Sequence, residues 1–384
     1  MEAHTQGNPI SLGLYVHFPF CIRKCRYCDF FSVPADDKEL VEKYVSTLCA
    51  EARARGRGGS VDTVFLGGGT PSLLSLPQVE RLLASLRAGW RIDSDAEVSM
   101  EANPETIAAG KLRDLREAGV TRLSIGVQSF DDSRLVYLGR VHTAQRARDA
   151  VAGACGAGFD CVGVDLMFGL PGQAVAEFRA DLEEALRFPL GHLSCYELSL
   201  EAGTPLAREG PSLPAEDAVI SQWGEAERAA RGAGMHHYEI SNYCLPGREC
   251  RHNLKYWRDE DFVGLGAGAY SSLNGERSAN ARDIKAYLSA ESSGFPSAET
   301  DRLGGKRKMG ETLMLNLRLS EGCRVAEFER RYGEGAIRVF MPALEKHAAA
   351  GLVELGEERI RLTPKGRLLA NEVWADLLEP VDSA

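Results

Sequence analysis

Six short apolar runs alternate with longer amphipathic segments in the first 200 residues, and this alternation constrains the fold more than any other feature. The runs, each expected to form a strand, are residues 14–18, 61–67, 97–102, 122–128, 161–169 and 193–200. Several intervening segments end in a glycine, such as Gly119 and Gly158, which is typical of a helix C-terminus. Repeated strand–helix–strand units predict right-handed crossovers and a parallel sheet. Because six units are too few for a closed eight-stranded barrel, we expect a curved, partly open, TIM-like (β/α)6 barrel of the α/β class.

The strand–helix alternation stops near residue 240, which predicts more than one domain. A polar passage rich in glycine and serine covers residues 264–305, and helical patterns with a short hairpin follow it. We therefore expect a barrel over residues 1–245, a connecting segment over 246–305, and a C-terminal, mostly helical, winged-helix-like domain over 306–384. Acidic and basic residues roughly balance in the last domain, so we expect it to be structural and not to bind DNA.

Charge and hydropathy exclude several classes of protein. The formal net charge of −10 argues against nucleic acid as a partner, since phosphate binding needs basic patches. The sequence contains no apolar run long enough to span a membrane. Residues 1–13 have neither the charged nor the apolar region of a secretory signal. We expect a cytoplasmic protein without a transmembrane segment, for which peripheral contact with a membrane stays open.

Three cysteines follow the first expected strand within eight residues: Cys21, Cys25 and Cys28. Their spacing also matches one face of a helix, but Arg23 and Lys24 lie between them and a buried helical face does not need thiols. Three thiolates can converge on one iron–sulfur cluster. Zinc is the competing metal, although a structural zinc site needs a fourth ligand that is missing locally. In a four-iron cluster, three ligands leave one iron open to a small molecule that carries an amine and a carboxylate.

Glycine and polar residues stand at the ends of the later expected strands. They are Gly67, Gly68, Gly69, Thr70, Glu101, Gln128 and Asp165. In parallel architectures functional groups gather at the carboxyl ends of the strands. Each residue has an ordinary explanation by itself, as a tight turn or a solvated acid. Together, on successive strand ends, they predict a pocket.

The motifs resemble those of the HemN/HemW branch of the radical S-adenosylmethionine (SAM) superfamily, and they occur in the same order. They are "YVHFPFC", "GGGTPS", "EANPE", "SIGVQSF" and "DLMFGLPGQ". The likeness runs from Tyr15 to at least Trp257. It implies that Cys21, Cys25 and Cys28 bind a [4Fe–4S] cluster, with SAM on the open iron. The residues that it implies for the SAM site are Tyr15, Tyr27, Gly68, Gly69, Thr70, Glu101, Gln128, Arg140 and Asp165. For Arg140 a solvated side chain is the alternative.

The branch includes an oxygen-independent coproporphyrinogen III dehydrogenase and a haem chaperone. The dehydrogenase has an N-terminal extension and a further cysteine two positions past its cluster motif, whereas here the first strand begins by residue 14 and Phe30 occupies that position. The resemblance therefore favours a chaperone that binds haem and delivers it to haem proteins. Radical oxidative decarboxylation by the dehydrogenase is the alternative, so whether the chain is an enzyme stays open.

A second motif supports the chaperone. The run "HNLKYW" contains the residues of the H-N-x-x-Y-W motif associated with haem in the chaperone, namely His252, Asn253, Tyr256 and Trp257. An imidazole can take an axial position on haem iron, and aromatic side chains can pack on the porphyrin. Cys250 is a second candidate ligand. A structural histidine beside aromatic residues is the alternative explanation.

Overall fold

The fold is described from a computed structural model, which covers residues 11–56 and 58–378. The strands are β1 (Leu12–Phe18), β2 (Phe20–Cys21), β3 (Val33–Pro34), β4 (Ser60–Gly68), β5 (Arg91–Ala102), β6 (Arg122–Gln128), β7 (Cys161–Phe168), β8 (His192–Glu197), β9 (His236–Glu239), β10 (Asn242–Cys244), β11 (Phe262–Leu265), β12 (Tyr270–Leu273), β13 (Glu276–Ala279), β14 (Glu299–Asp301), β15 (Cys323–Arg324), β16 (Val353–Leu355) and β17 (Arg359–Leu362). The α-helices are α1 (Lys38–Arg55), α2 (Leu76–Gly89), α3 (Ala109–Ala118), α4 (Asp132–Leu138), α5 (Ala144–Gly156), α6 (Val175–Ala185), α7 (Pro205–Glu209), α8 (Glu216–Gly232), α9 (Arg251–Trp257), α10 (Ile284–Ser289), α11 (Gly305–Leu317), α12 (Val325–Tyr332), α13 (Met341–Ala349), α14 (Pro364–Leu368) and α15 (Ala370–Leu378).

The chain divides into two compact units. The first comprises the described residues up to Ala229 together with Asp261–Asp301, and the second comprises Ala230–Glu260 and the described residues from Arg302 onward. The connecting segment expected over 246–305 is thus shared between the two units. The expected boundaries at 245 and 305 remain predictions.

The first unit is built on a largely parallel sheet, as the alternation predicted. Its strand order is β14-β13-β12-β11-β1-β4-β5-β6-β7-β8. The six expected strands correspond to β1, β4, β5, β6, β7 and β8, and each pairs in parallel with the next along the chain. The sequence did not predict β11, which pairs in parallel with β1, or the antiparallel strands β12, β13 and β14 beyond it.

Burial on both faces explains why the central strands are almost continuously apolar. Leu14, Val64, Met100, Leu123 and Val164, on five neighbouring strands, are fully buried. Crossover helices cover such a sheet, and local sequence fixes where they start and end. Asp37 begins α1 by accepting the amides of residues 39 and 40, and Gly119 ends α3 in the left-handed conformation that the sequence predicted.

The second unit contains the helices and the hairpin that the sequence predicted for the C-terminus. Strands β16 and β17 form the antiparallel hairpin, and β15 adds to its other edge. Its core is apolar, with Leu313, Leu317, Leu344 and Val373 fully buried. Strands β9 and β10 form a further antiparallel hairpin in this unit, followed by α9. Within residues 11–56 and 58–378, no helix has the length and apolar character needed to cross a membrane.

Candidate cofactor site

A cavity of about 400 Å³ lies where the parallel strands of the first unit end. Its wall includes residues at or next to the carboxyl ends of β4, β5, β6, β7 and β8, together with the loop that carries the cysteine cluster. The predicted site residues that line it are Cys21, Cys25, Tyr27, Cys28, Gly68, Gly69, Thr70, Glu101, Gln128, Arg140 and Asp165. The fold thus brings together groups that are spread over 145 positions of sequence, although their individual roles as ligands remain predictions.

The three cysteines lie on a closed loop and not on a helix. Cys21 ends β2, which pairs with β3 immediately after the loop. A turn joins the other two, with the amide of Cys28 donating to the carbonyl of Cys25 at 3.3 Å. The amide of Arg26 donates to the carbonyl of Leu138 at 3.0 Å, which ties the middle of the loop to the end of α4. The helical-face interpretation of the spacing is therefore excluded.

The thiols suit a cationic metal centre. Burial raises the pKa of the Cys28 thiol to about 11 and also raises the pKa of Cys21, so both are neutral near pH 7 in the absence of a metal. Iron bound at these sulfurs would supply the positive charge that stabilises thiolates. All ten cysteines of the chain are described, and only Cys21, Cys25 and Cys28 line the cavity. This donor set fits a cluster with three thiolate ligands and one open iron.

The glycine-rich turn packs directly against the strand that leads into the cysteines. The amide of Gly69 donates to the carbonyl of Phe18 at 2.8 Å, and the amide of Thr70 donates to that of Phe20 at 2.9 Å. A Cβ atom on Gly69 would lie 2.7 Å from the carbonyl oxygen of Phe20. Gly68 has φ of +108°, which favours glycine. The amides of residues 69 and 70 therefore bond within the protein.

Two buried carboxyl groups line the cavity on β5 and β7. Glu101 accepts the amide proton of Gly68 at 3.0 Å, and burial raises its pKa to about 7. Asp165 accepts the hydroxyl of Ser124 at 2.9 Å, and burial raises its pKa as well. A buried acid is stabilised in its charged form by a cationic or hydrogen-bond-donating partner. Both groups are therefore suited to hold an ammonium or a hydroxyl group of a bound molecule.

Arg140 is not a solvated arginine, because three parts of the site hold it. Its Nη1 donates to Cys25 Sγ at 3.4 Å, and its Nη2 donates to Asn103 Oδ1 and to the carbonyl of Gly126, both at 2.7 Å. Asn103 in turn donates to the hydroxyl of Thr70 at 3.0 Å. Among the described residues the Nε of Arg140 is buried without a hydrogen-bond partner, so it can donate to a bound group.

Asn103 lines the cavity but was not predicted, although it belongs to the quoted motif "EANPE". Its position two residues after Glu101, at the same strand end, is the feature that could have identified it.

An irregular backbone conformation at Gln128 directs the side chain of this residue toward the cavity. Gln128 has φ of +68°, which is uncommon for a residue other than glycine, and the pairing of β6 with β7 shifts register between Gly126 and Gln128. Such an irregularity at a strand end redirects the following side chain. A Cβ atom on Gly126 would lie 3.0 Å from Gln128 Nε2 and 3.2 Å from Asn103 Oδ1, so glycine there lets the polar groups converge.

The two predicted tyrosines differ in position. Tyr27 lines the cavity and packs against the apolar cluster that contains Leu138 and Met167. Tyr15 is absent from the cavity wall; its hydroxyl is hydrogen bonded to Nδ1 of His17 at 2.9 Å, and its ring stacks on Phe65 with centroids 6.2 Å apart. In this structure Tyr15 therefore supports the strands next to the cavity.

Sequence reasoning missed one side of the cavity wall. The additional residues at the end of β8 are Tyr196, Glu197, Ser199 and Glu201. They were overlooked because no polar motif follows the sixth expected strand as distinctly as the others. Glu197 is an exposed residue, and desolvation raises the pKa of its carboxyl group, so this wall adds a further acid.

The predicted haem motif lies in the second unit, on α9. His252 is fully buried, its Nε2 is hydrogen bonded to the hydroxyl of Tyr256 at 2.9 Å, and burial lowers its pKa to about 3. The guanidinium of Arg318 lies 4.2 Å from the ring centre of Trp257. Asn253 is half-buried on the same helix. The imidazole is thus neutral, as a metal ligand must be, but it is not exposed in this structure.

Comparison with known proteins adds independent findings. The model of the Radical SAM superfamily matches residues 15–185, and that of the HemN C-terminal domain matches residues 305–369. "Heme chaperone HemW" of Escherichia coli (strain K12) is 37% identical over 374 residues, covering 94% of this chain and 97% of that protein. The protein of the same name from Bacillus subtilis (strain 168) is 34% identical over 377 residues, covering 95% and 98%.

Among solved structures, coproporphyrinogen III oxidase (HemN) from Escherichia coli superposes with a TM-score of 0.85. The two sequences are 24% identical, and the match covers 96% of this chain and 90% of that one. At this identity the likeness establishes the fold alone, and it agrees with the α/β barrel and the C-terminal domain that the sequence predicted.

Proposed function

Because the chain belongs to the HemW family of the radical SAM superfamily, we propose that it is a haem chaperone, which binds haem and delivers it to haem proteins. The observation that carries this proposal is the likeness to heme chaperones over nearly the full length of both chains, at 37% and 34% identity. The run "HNLKYW" lies within the matched region and supplies candidate haem contacts.

The cofactors of the proposed chaperone are a [4Fe–4S] cluster, SAM and haem. A [4Fe–4S] cluster with an open iron supplies one-electron chemistry to a SAM molecule held beside it. On this proposal Cys21, Cys25 and Cys28 hold the cluster, and Glu101 and Asp165 receive the donor groups of SAM.

Arg140 has a positioning role in this proposal. Its contact with Cys25 Sγ places a positive charge beside one cluster ligand, while Asn103 and Gly126 fix the guanidinium. Hydrogen bonds to cluster sulfurs raise the reduction potential, so this contact affects how easily the cluster accepts an electron.

The haem contacts are proposed to come from α9. Since the hydrogen bond with Tyr256 occupies Nε2 of His252, this nitrogen can bind haem iron only after the bond opens. Haem binding is therefore expected to move the motif and to expose the His252 ring.

Two substitutions on α9 test this proposal. The full chain, with its cluster reconstituted anaerobically, is expected to bind about one haem and to shift the Soret band. His252→Ala should weaken binding, since it removes the ligand. Tyr256→Phe should preserve or strengthen it, because it removes only the competing hydrogen bond and retains an aromatic ring. A chain without a Soret shift, or one that His252→Ala leaves unchanged, would contradict the assignment.

Delivery is tested with an acceptor. The haem-loaded chain should transfer haem to an apo-haem protein faster than buffer alone releases it, measured from the absorbance of the acceptor. Coproporphyrinogen III, incubated anaerobically with SAM and a reductant, should remain intact, because Phe30 stands where the dehydrogenase has its further cysteine. A decarboxylated product detected by chromatography would favour the dehydrogenase.

We place the chaperone in the cytoplasm, where reducing conditions maintain free thiols. Its partners are haem-acceptor proteins, and the net charge of −10 disfavours nucleic acid. Peripheral contact with a membrane would bring it to acceptors located there.

A further inference from the structure

Three potential metal ligands that belong to neither the cavity nor the predicted haem motif converge in the second unit. His236 begins β9 and Cys244 ends β10, and the two residues lie directly opposite each other in the antiparallel hairpin. Cys244 Sγ lies 3.8 Å from His236 Nε2, which in turn lies 2.9 Å from Glu249 Oε1. One ligand atom from each residue lies within 4.8 Å of the other two.

The backbone holds these side chains in place. Register fixes His236 opposite Cys244, and the amide of Arg248 closes a turn by donating to the carbonyl of Leu245 at 2.9 Å. The amide of Cys250 donates to the hydroxyl of Tyr238 at 3.4 Å, which ties the residue after Glu249 back to β9. The arrangement is therefore formed before any ion binds.

We propose that His236, Cys244 and Glu249 bind a zinc ion. A thiolate, an imidazole and a carboxylate are the ligand types that zinc accepts, whereas Mg²⁺ and Ca²⁺ require oxygen ligands. Tetrahedral zinc places such donor atoms roughly 3.3–3.6 Å apart, given Zn–S of about 2.3 Å and Zn–N or Zn–O of about 2.0–2.2 Å. The distances of 3.8 and 2.9 Å lie on either side of that range, so small shifts complete the geometry.

Zinc binding is a ligand substitution without a redox step. The Cys244 thiol releases its proton to solvent as the Zn–S bond forms, and the imidazole of His236 binds in its neutral form. Three protein ligands leave a fourth position for water. About 45% of the His236 side chain is exposed, so the ion can enter from solvent.

The proposed zinc site lies next to the predicted haem motif. Glu249 is two residues before α9, which carries the predicted haem motif. A zinc ion would fasten the β9–β10 hairpin to the start of that helix. This inference does not depend on haem binding, because its ligands are His236, Cys244 and Glu249. An ordinary His–Glu ion pair is the competing explanation of the geometry.

The test uses the full chain with its [4Fe–4S] cluster reconstituted, so that the cluster cysteines are occupied. Addition of zinc followed by gel filtration should leave about one zinc per chain by elemental analysis. Zinc K-edge X-ray absorption should show one sulfur neighbour, with nitrogen or oxygen atoms for the rest. Zinc in the cluster site would instead show three sulfur neighbours, and that result would overturn the proposal.

Matched variants complete the test. His236→Gln and Glu249→Gln change partly exposed side chains, so they should fold and lose zinc affinity at least tenfold; Cys244→Ser should do the same and abolish the sulfur signal. Cys155→Ser on α5 and Glu357→Gln, an exposed residue of the second unit, should retain zinc. Zinc that persists unchanged in both Gln variants, or that never binds, would overturn the proposal and leave His236 and Glu249 as an ordinary ion pair.

Discussion

At the scale of single residues, the sequence predicted many of the side chains that line the cavity, and their roles as ligands stay predictions. The three cysteines could be predicted because thiol chemistry restricts the uses of a cluster of cysteines. The role of Gly69 could not, since its contact with Phe20 joins segments 49 positions apart and no local pattern records it. The position of Asn103 at the end of the strand could have identified it as a site residue, but its contact with Arg140, from another loop, could not be predicted.

Gly69→Ala should damage the cysteine loop. The added methyl would lie 2.7 Å from the carbonyl oxygen of Phe20, so the strand before Cys21 must move. We expect a loss of about 1–3 kcal/mol in the free energy of unfolding and reduced iron per chain after reconstitution. Denaturant titration and iron analysis measure both effects.

Gly110→Ala is the matched control, because Gly110 lies on α3 and a Cβ atom there would meet nothing within 4 Å. That variant should keep its iron and gain stability, by about 0.5–1 kcal/mol. Equal iron content in the two variants would show that Gly69 does not position the cluster loop.

Glu101 should make the ligand-free protein less stable as the pH rises. Burial raises its pKa to about 7 in the folded chain from an ordinary value of 4.5, so folding takes up a proton between these values. The contribution of Glu101 to the free energy of unfolding therefore falls as the pH rises from about 5 to 7. Glu101→Gln keeps an oxygen for the Gly68 amide but cannot ionise.

We expect the stability of Glu101→Gln relative to the original chain to increase by about 1–3 kcal/mol between pH 5 and pH 8. Denaturant titrations at both pH values, without cluster or SAM, measure this difference. Glu117→Gln on the exposed face of α3 serves as the control and should show no such trend. If the stability difference between Glu101→Gln and the original chain does not change with pH, the carboxyl group is already charged at pH 5.

At the scale of elements, six apolar runs predicted six parallel strands because strands buried on both faces are apolar throughout. Strand β11 escaped prediction because only four residues, Phe262–Leu265, form it within a glycine-rich passage. Its position depends on pairing with β1, which is about 250 positions away in sequence. The strand ends could be predicted as a site, but not the contacts among their side chains.

Arg140→Lys tests the contacts that join three elements at the site. Lysine has one nitrogen, so it cannot donate at once to Cys25, Asn103 and Gly126 in the directions that the guanidinium uses. We expect the cluster to assemble with near-normal iron content, but with a lower reduction potential and SAM binding at least tenfold weaker. Electron paramagnetic resonance during a redox titration and equilibrium dialysis of SAM give the two values. Arg113→Lys, an exposed change on α3, should alter neither the reduction potential nor the affinity for SAM. An unchanged reduction potential in Arg140→Lys would show that the guanidinium does not affect the cluster.

At the scale of the whole molecule, the sequence predicted a barrel followed by a C-terminal domain, whereas the contacts divide the chain at residues 229, 260 and 301. The reason is topological. The segment Asp261–Asp301 returns to extend the sheet of the first unit, although it follows residues of the second. Such a return depends on pairing between distant strands, which periodicity along the chain does not reveal.

Two separate cores predict that the cofactor functions can be separated. Fully buried apolar side chains form each unit's own interior, for example Leu123 in the first and Leu344 in the second. Loss of the cluster should therefore leave the second unit folded. We expect the combined replacement of Cys21, Cys25 and Cys28 by serine to abolish iron and SAM binding while haem still shifts the Soret band.

The reciprocal variant alters the second unit and leaves the cluster cysteines in place. His252→Ala should retain the iron and the [4Fe–4S] absorbance of the original chain while haem binding weakens. Iron analysis, SAM dialysis and haem titration are carried out on both variants. If the triple serine variant folds, by circular dichroism, but no longer binds haem, then haem binding depends on the cluster unit and α9 alone does not account for it. If His252→Ala loses its iron, the two units are coupled, and the independence inferred from their separate cores is wrong.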